Sequence, residues 1–116
     1  MLGEYGTVLT EHIGKSELSV TGDDLEDRFI HERDLEWLRS CDCLVAEVTN
    51  PSLGVGYEIG KATEWSKPVL CLFRPDAGRS LSAMIGGSPE ATVRHYSHVD
   101  QLKQILADYF KSVTLQ

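Results

Sequence analysis

The chain has 116 residues, enough for one domain, and its 41% hydrophobic and 25% charged content suits a globular fold with a single core. A net charge of -7 argues against a general binder of nucleic-acid polymers or membrane surfaces, since both need a cationic face. It leaves room for one small anionic ligand, because helix N-termini and a few arginines make a local positive site in a negative protein.

No apolar run approaches the roughly 20 residues that a bilayer span requires. Met1-Leu2-Gly3-Glu4-Tyr5 lacks the basic and apolar regions of a signal peptide. The cysteines are Cys41, Cys43 and Cys71, an odd number that suggests reduced thiols. A cytoplasmic or nuclear setting is the expectation. Cys41-Asp-Cys43 has no matching Cys/His pair at zinc spacing, so no metal is expected.

In chain order, Gly6 to Thr10 is β-branched and bounded by glycine, and reads as a strand. Residues 14–25 are polar, with turn chemistry at Gly22-Asp23-Asp24, and read as a surface loop. From Leu25 to about Ser40 the pattern is helical, with Ile30, Asp34, Trp37, Leu38 and Cys41 on one stripe. Cys43 to Val48 is a buried strand, and Thr49 to Gly54 a turn. Gly56 to Ser66 reads as a helix, ended by Lys67-Pro68. Val69 to Phe73 is a second buried strand. A loop covers Arg74 to Gly78, a short helix Ser80 to Ile85, and a strand Thr92 to Tyr96. The last helix, about His98 to Ser112, carries Leu102, Ile105, Leu106, Tyr109, Phe110 and Val113 at helical spacing. Strands alternating with helices, two of them apolar throughout, predict an α/β fold with a parallel sheet covered on both faces.

Ligands of such sheets bind beyond the carboxyl ends of the strands. The segment to inspect is therefore Glu47-Val-Thr-Asn-Pro-Ser-Leu-Gly-Val-Gly-Tyr-Glu58. Ser52 can cap the next helix, and free amides at a helix start favour a phosphate. Gly54-Val-Gly56 with Gly60 imitates a dinucleotide fingerprint, but its last spacing is one residue too long. Such glycines also serve packing. Glu58 reads as a first-turn residue whose charge the helix dipole stabilises, which suits a nucleophile or base. It equally suits ordinary helix chemistry. Asp34 is a carboxylate on an apolar face, costly unless paired or used. It can be a second reacting group, or a partner of Arg33 or Arg28. His12, at the end of the first strand, can lie near the site. His31, His95 and His98 show no compelling partners in sequence, and Arg79 reads as a solvated surface residue.

Three stretches resemble a known family: Ile30 to Leu38, Val45 to Gly60, and Cys71-Leu-Phe-Arg-Pro75 through Leu81-Ser-Ala-Met84. They are similar to the 2′-deoxynucleoside 5′-phosphate N-hydrolases, grouped with the nucleoside 2-deoxyribosyltransferases. Gly6 to His12 fits the same pattern, and the part beyond Gly86 matches less well. The resemblance implies a Rossmann-like or flavodoxin-like parallel sheet in a single domain spanning 1–116. It implies hydrolysis of deoxynucleoside monophosphates to free base and 2-deoxyribose 5-phosphate, with 5-hydroxymethyl-dUMP preferred and no cofactor. By that resemblance Glu58 attacks the anomeric carbon and Asp34 handles the proton and water. Ser52 and Gly54 hold the 5′-phosphate, while the substrate-binding expectation for His12 rests on its place at the end of the first strand. Ser82 reaches the neighbouring site of a homodimer.

Members of that family begin with a strand and a glycine-rich phosphate loop that this sequence lacks. An interior gap or unpaired edges in the sheet are therefore expected. Two other readings stand beside hydrolysis. One is a nucleotide-binding and dimerisation module without turnover. The other is a deoxyribosyltransferase that passes the sugar to another base.

Overall fold

The structure, a computed structural model, describes residues 8–11 and 26–113, the former as backbone only. Cys43–Glu47 (β2) and Val69–Phe73 (β3) form the centre of the sheet, as their apolar runs require. Val8–Glu11 (β1) and Ala91–His95 (β4) flank them. The order is β1-β2-β3-β4, and every pair is parallel. Parallel strands laid down stepwise in one direction, with right-handed crossovers, put every crossover helix on the same face.

That is the arrangement seen. Asp27–Ser40 (α1), Leu53–Glu64 (α2) and the single turn Ala83–Gly86 (α3) connect successive strands. Leu35, Leu38 and Cys41 at the end of the first connection and Val55, Ile59 and Ala62 of α2 pack on Leu44, Ala46, Val69 and Cys71. The opposite face carries Cys43, Val45, Leu70 and Leu72, and is covered by Asp100–Ser112 (α4) through Leu106, Tyr109 and Phe110. The alternation of a strand thus splits one apolar run between two cores.

Several expectations need correction. Of the two alternatives expected for the sheet, an interior gap is not seen among the described residues: β1 pairs directly with β2, from Val8–Cys43 to Glu11–Ala46. Extended backbone offers the same ladder groups whatever its side chains, so β2 finds a neighbour in β1. The second helix starts at Leu53, not Gly56, because Ser52 caps it, its Oγ accepting from Val55 N at 3.2 Å. Capping outweighs the low helix propensity of Gly54 and Gly56. Glu58 accordingly stands in the second turn, where the helix dipole is weaker. Trp37 is not core but half-exposed, with the Arg33 guanidinium 4.9 Å above its ring. Leu35 takes the core position instead.

Buried acids of the core predict an alkaline limit. Burial pushes the Cys43 thiol up to about 12 and that of Cys71 to about 11, against an ordinary value of 9.0. Burial and the bond to Glu47 push the Tyr96 phenol from 10.0 to about 12. Burial also raises Tyr109. Each group is easier to deprotonate in the unfolded chain, so its contribution is complete below its unfolded pKa and lost as pH rises through the folded one. Stability should therefore fall steadily from about pH 9 to about pH 12. Urea denaturation across that range checks it, and a flat midpoint would contradict it.

Candidate active site

The carboxyl ends of β2 and β3 open toward the start of α2, and two cavities lie there. Asp34 from α1 and Glu58 from α2 line one of about 340 Å³, together with Asp27, His31, Gly54 and Tyr57. Ser52, Gly56, Leu81 and Ser82 line the other, of about 580 Å³. Leu53 and Tyr57 border both. The sequence-predicted residues thus divide, with the carboxylates in one cavity and the serines in its neighbour. Gly54 faces the carboxylate side. His12 lies outside the described residues.

Local sequence explains these placements. Asp27, Ile30, His31 and Asp34 recur every three or four residues, so one face of α1 delivers them together. The partly buried Arg33 places Nε 3.5 Å from Asp34 Oδ1, so the arginine pair expected for Asp34 exists alongside its place in the cavity. Glu58 is buried, 4% exposed, one position before Ile59 on the core side of α2. Gly56 borders the larger cavity, and a Cβ built there would meet no atom within 4 Å. Packing among the described residues therefore does not require this glycine, whereas an occupant close to the backbone would.

Ser52 can act twice. Its oxygen accepts from Val55 N, which leaves its own hydroxyl proton to donate outward. The first amides of α2 have no carbonyl one turn earlier, so they too are donors facing out of the helix. An anion fits this end of α2 without a surrounding cluster of cations. Ser82 caps α3 in the same way, accepting from Met84 N at 3.2 Å, and is exposed. Arg79 is exposed as well. Among the described residues, no group of three or more His, Cys, Asp or Glu is gathered as a metal set. No described helix is long and apolar enough to cross a membrane.

Two features were not read from the sequence. His31 does have a partner, Tyr57, with 3.0 Å between Nε2 and the hydroxyl. Glu47, at the end of β2, accepts from Tyr96 Oη and from Thr49 Oγ1, both at 2.6 Å, and from Thr49 N at 2.9 Å. Arg74 N donates in turn to Thr49 Oγ1 at 2.9 Å. This chain of bonds ties the ends of β2, β3 and β4 and fixes where the 48–52 loop departs. The i, i+3 spacing of His31 and Asp34 puts His31 on the cavity face, but nothing local announced its partner Tyr57 or the Glu47 bonds.

The fold and site define a class: a parallel α/β domain that offers two carboxylates beside a phosphate-favouring helix start. Comparison with known proteins agrees. The family model for nucleoside 2-deoxyribosyltransferase matches residues 1–102, and the chain belongs to that family. It is 53% identical, over 96% of its length and 81% of the relative's, to a Tetraodon nigroviridis protein named 5-hydroxymethyl-dUMP N-hydrolase. A protein of the same name from Esox lucius is 50% identical over 97% of this chain and 81% of that relative. One from Mus musculus is 51% identical over 96% of this chain and 66% of that relative.

Proposed function

We propose that this chain is an N-glycosidase that hydrolyses 2′-deoxynucleoside 5′-monophosphates, 5-hydroxymethyl-dUMP foremost, to the free base and 2-deoxyribose 5-phosphate. The observation that carries the reading is the meeting of Asp34 and Glu58, from two helices, in one cavity at the capped start of α2. The names of the similar proteins supply the substrate class.

The chemistry follows from the groups present. A sugar without a 2′-hydroxyl develops positive charge at C1′ easily. The Glu58 carboxylate stabilises that charge and bonds to C1′ as the C1′–N bond breaks. The bonding pair leaves with the base, which takes a proton from Asp34. Water then attacks C1′ of the glycosyl-Glu58 ester while Asp34 takes back a proton, and Glu58 is released as carboxylate. The Ser52 hydroxyl and the Leu53 and Gly54 amides hold the 5′-phosphate.

Release of base from 5-hydroxymethyl-dUMP by the purified chain is the direct assay, and no release from a folded, nucleotide-bound protein would refute the reading. Adding a second free base separates hydrolysis from sugar transfer. Base exchange faster than loss to water would favour transfer.

The reading extends to a homodimer in which Ser82 serves the partner's phosphate. Leu53 and Met84, at 96% and 83% exposure, give that side of the larger cavity an apolar rim suited to a second copy. Mixing inactive Glu58→Ala with Ser82→Ala protomers tests it. If Ser82 acts across the interface, random pairing restores about a quarter of the sites. If it acts within its own chain, beside Ser52 in the same cavity, no activity returns.

A further inference from the structure

His31 and Tyr57 come from different helices, and both line the cavity that holds Asp34 and Glu58. Their ring centroids lie 5.6 Å apart at an interplanar angle of 67°, and His31 Nε2 is 3.0 Å from the Tyr57 hydroxyl. Glu32 Oε2 stands 3.3 Å from His31 Nδ1. Of the two tautomers, a carboxylate there favours the one with its proton on Nδ1, which makes Nε2 an acceptor. The Tyr57 O–H then donates to Nε2. The phenol oxygen keeps its lone pairs for a donor that enters the cavity.

We infer that the Tyr57 hydroxyl, aligned by His31, is a specificity-determining group that reads a hydrogen-bond donor on the exocyclic substituent of the base. The inference rests on the hydrolytic reading, because the two carboxylates set the base in this cavity. A hydroxymethyl group can donate to the phenol oxygen. A methyl group cannot, and it displaces the water that would otherwise do so. A wall that hydrogen-bonds a hydroxyl rejects the analogue lacking it, whereas an apolar wall hardly separates the two. Tyr57 is 49% exposed, so water competes and the discrimination is modest, about tenfold rather than the thousands of a sealed site. His31 is a positioning residue: it engages the phenol proton and so sets which face of the oxygen is offered.

The test compares 5-hydroxymethyl-dUMP with dTMP, which differ at this substituent alone. Their kcat/KM values are measured for the natural chain, Tyr57→Phe, His31→Ala and the double variant. Their Kd values are measured by calorimetry in a Glu58→Ala background. Tyr57→Phe should lower the preference for the hydroxymethyl nucleotide about tenfold, while the dTMP value moves less than about twofold. His31→Ala should lower the same preference by a smaller factor and add nothing to Tyr57→Phe, because it acts through that hydroxyl. An equal loss on both nucleotides, or an unchanged preference, overturns the inference. A shift in the ratio of Kd values without any base release would refute hydrolysis and leave the specificity assignment standing.

Discussion

Glu58→Gln should lower base release on the order of 10³-fold or more, with the fold intact. Glutamine keeps the shape of the side chain, so the cavity keeps its form. It has no negative charge to stabilise C1′ and no oxygen nucleophilic enough to form the ester. The protein itself should tolerate the change. Glu58 is 4% exposed, and a neutral amide is easier to bury than a carboxylate. The helix dipole adds little that would be lost, since Ser52 caps α2 and Glu58 lies beyond its first turn. Circular dichroism and a thermal melt like those of the natural chain should therefore accompany the inactive variant. Trapping with a slow substrate should also place one deoxyribose phosphate on the peptide that contains Glu58. A rate within a few-fold of the natural chain would remove Glu58 from the reaction.

The site is legible in the sequence where one physical signal dominates. The bounds of β3 follow from an unbroken apolar run, and the core face of α4 from strict helical spacing. The meeting of Asp34 with Glu58 follows from two rules. Ligands sit beyond the strand ends, and a helix face repeats every three to four residues. What failed involved competing signals. Ser52 is legible as a cap, yet α2 reads as beginning at Gly56, because Gly54, a poor helix former, stands between the two. Trp37 falls on the apolar stripe by helical spacing, yet its flat face serves as well to stack the Arg33 guanidinium at the surface. The β1–β2 pairing and the His31–Tyr57 contact were illegible for a simpler reason. Both join segments far apart in the chain, and neither leaves a local pattern.

The same geometry assigns separate tasks to the two sides of α2. Its N-terminal donors and Ser52 suit a dianion, while Glu58, one turn on, would repel one. A nucleotide satisfies both only if its phosphate lies at the helix start and its sugar lies over the carboxylates. The overall charge of -7 works in the same direction, since it disfavours anions everywhere except where amides are aimed at them.

Asp34→Asn should lower kcat on the order of 10²- to 10⁴-fold while the nucleotide still binds. Asparagine can hold a hydrogen bond but cannot give a proton to the departing base or take one from water. A purely structural Asp34, paired with Arg33 Nε at 3.5 Å, would also lose activity on substitution, so the rate alone does not decide. Dependence on the leaving group does. A base that carries negative charge readily needs less help from an acid. The 5-fluoro-dUMP analogue should therefore lose much less than 5-hydroxymethyl-dUMP when Asp34 becomes asparagine, because protonation matters less to its departure. A distorted cavity would slow both nucleotides by the same factor. Single-turnover release of each base from the natural chain and the variant measures the difference. Equal losses would return Asp34 to the role of an arginine partner, and leave the proton to another group.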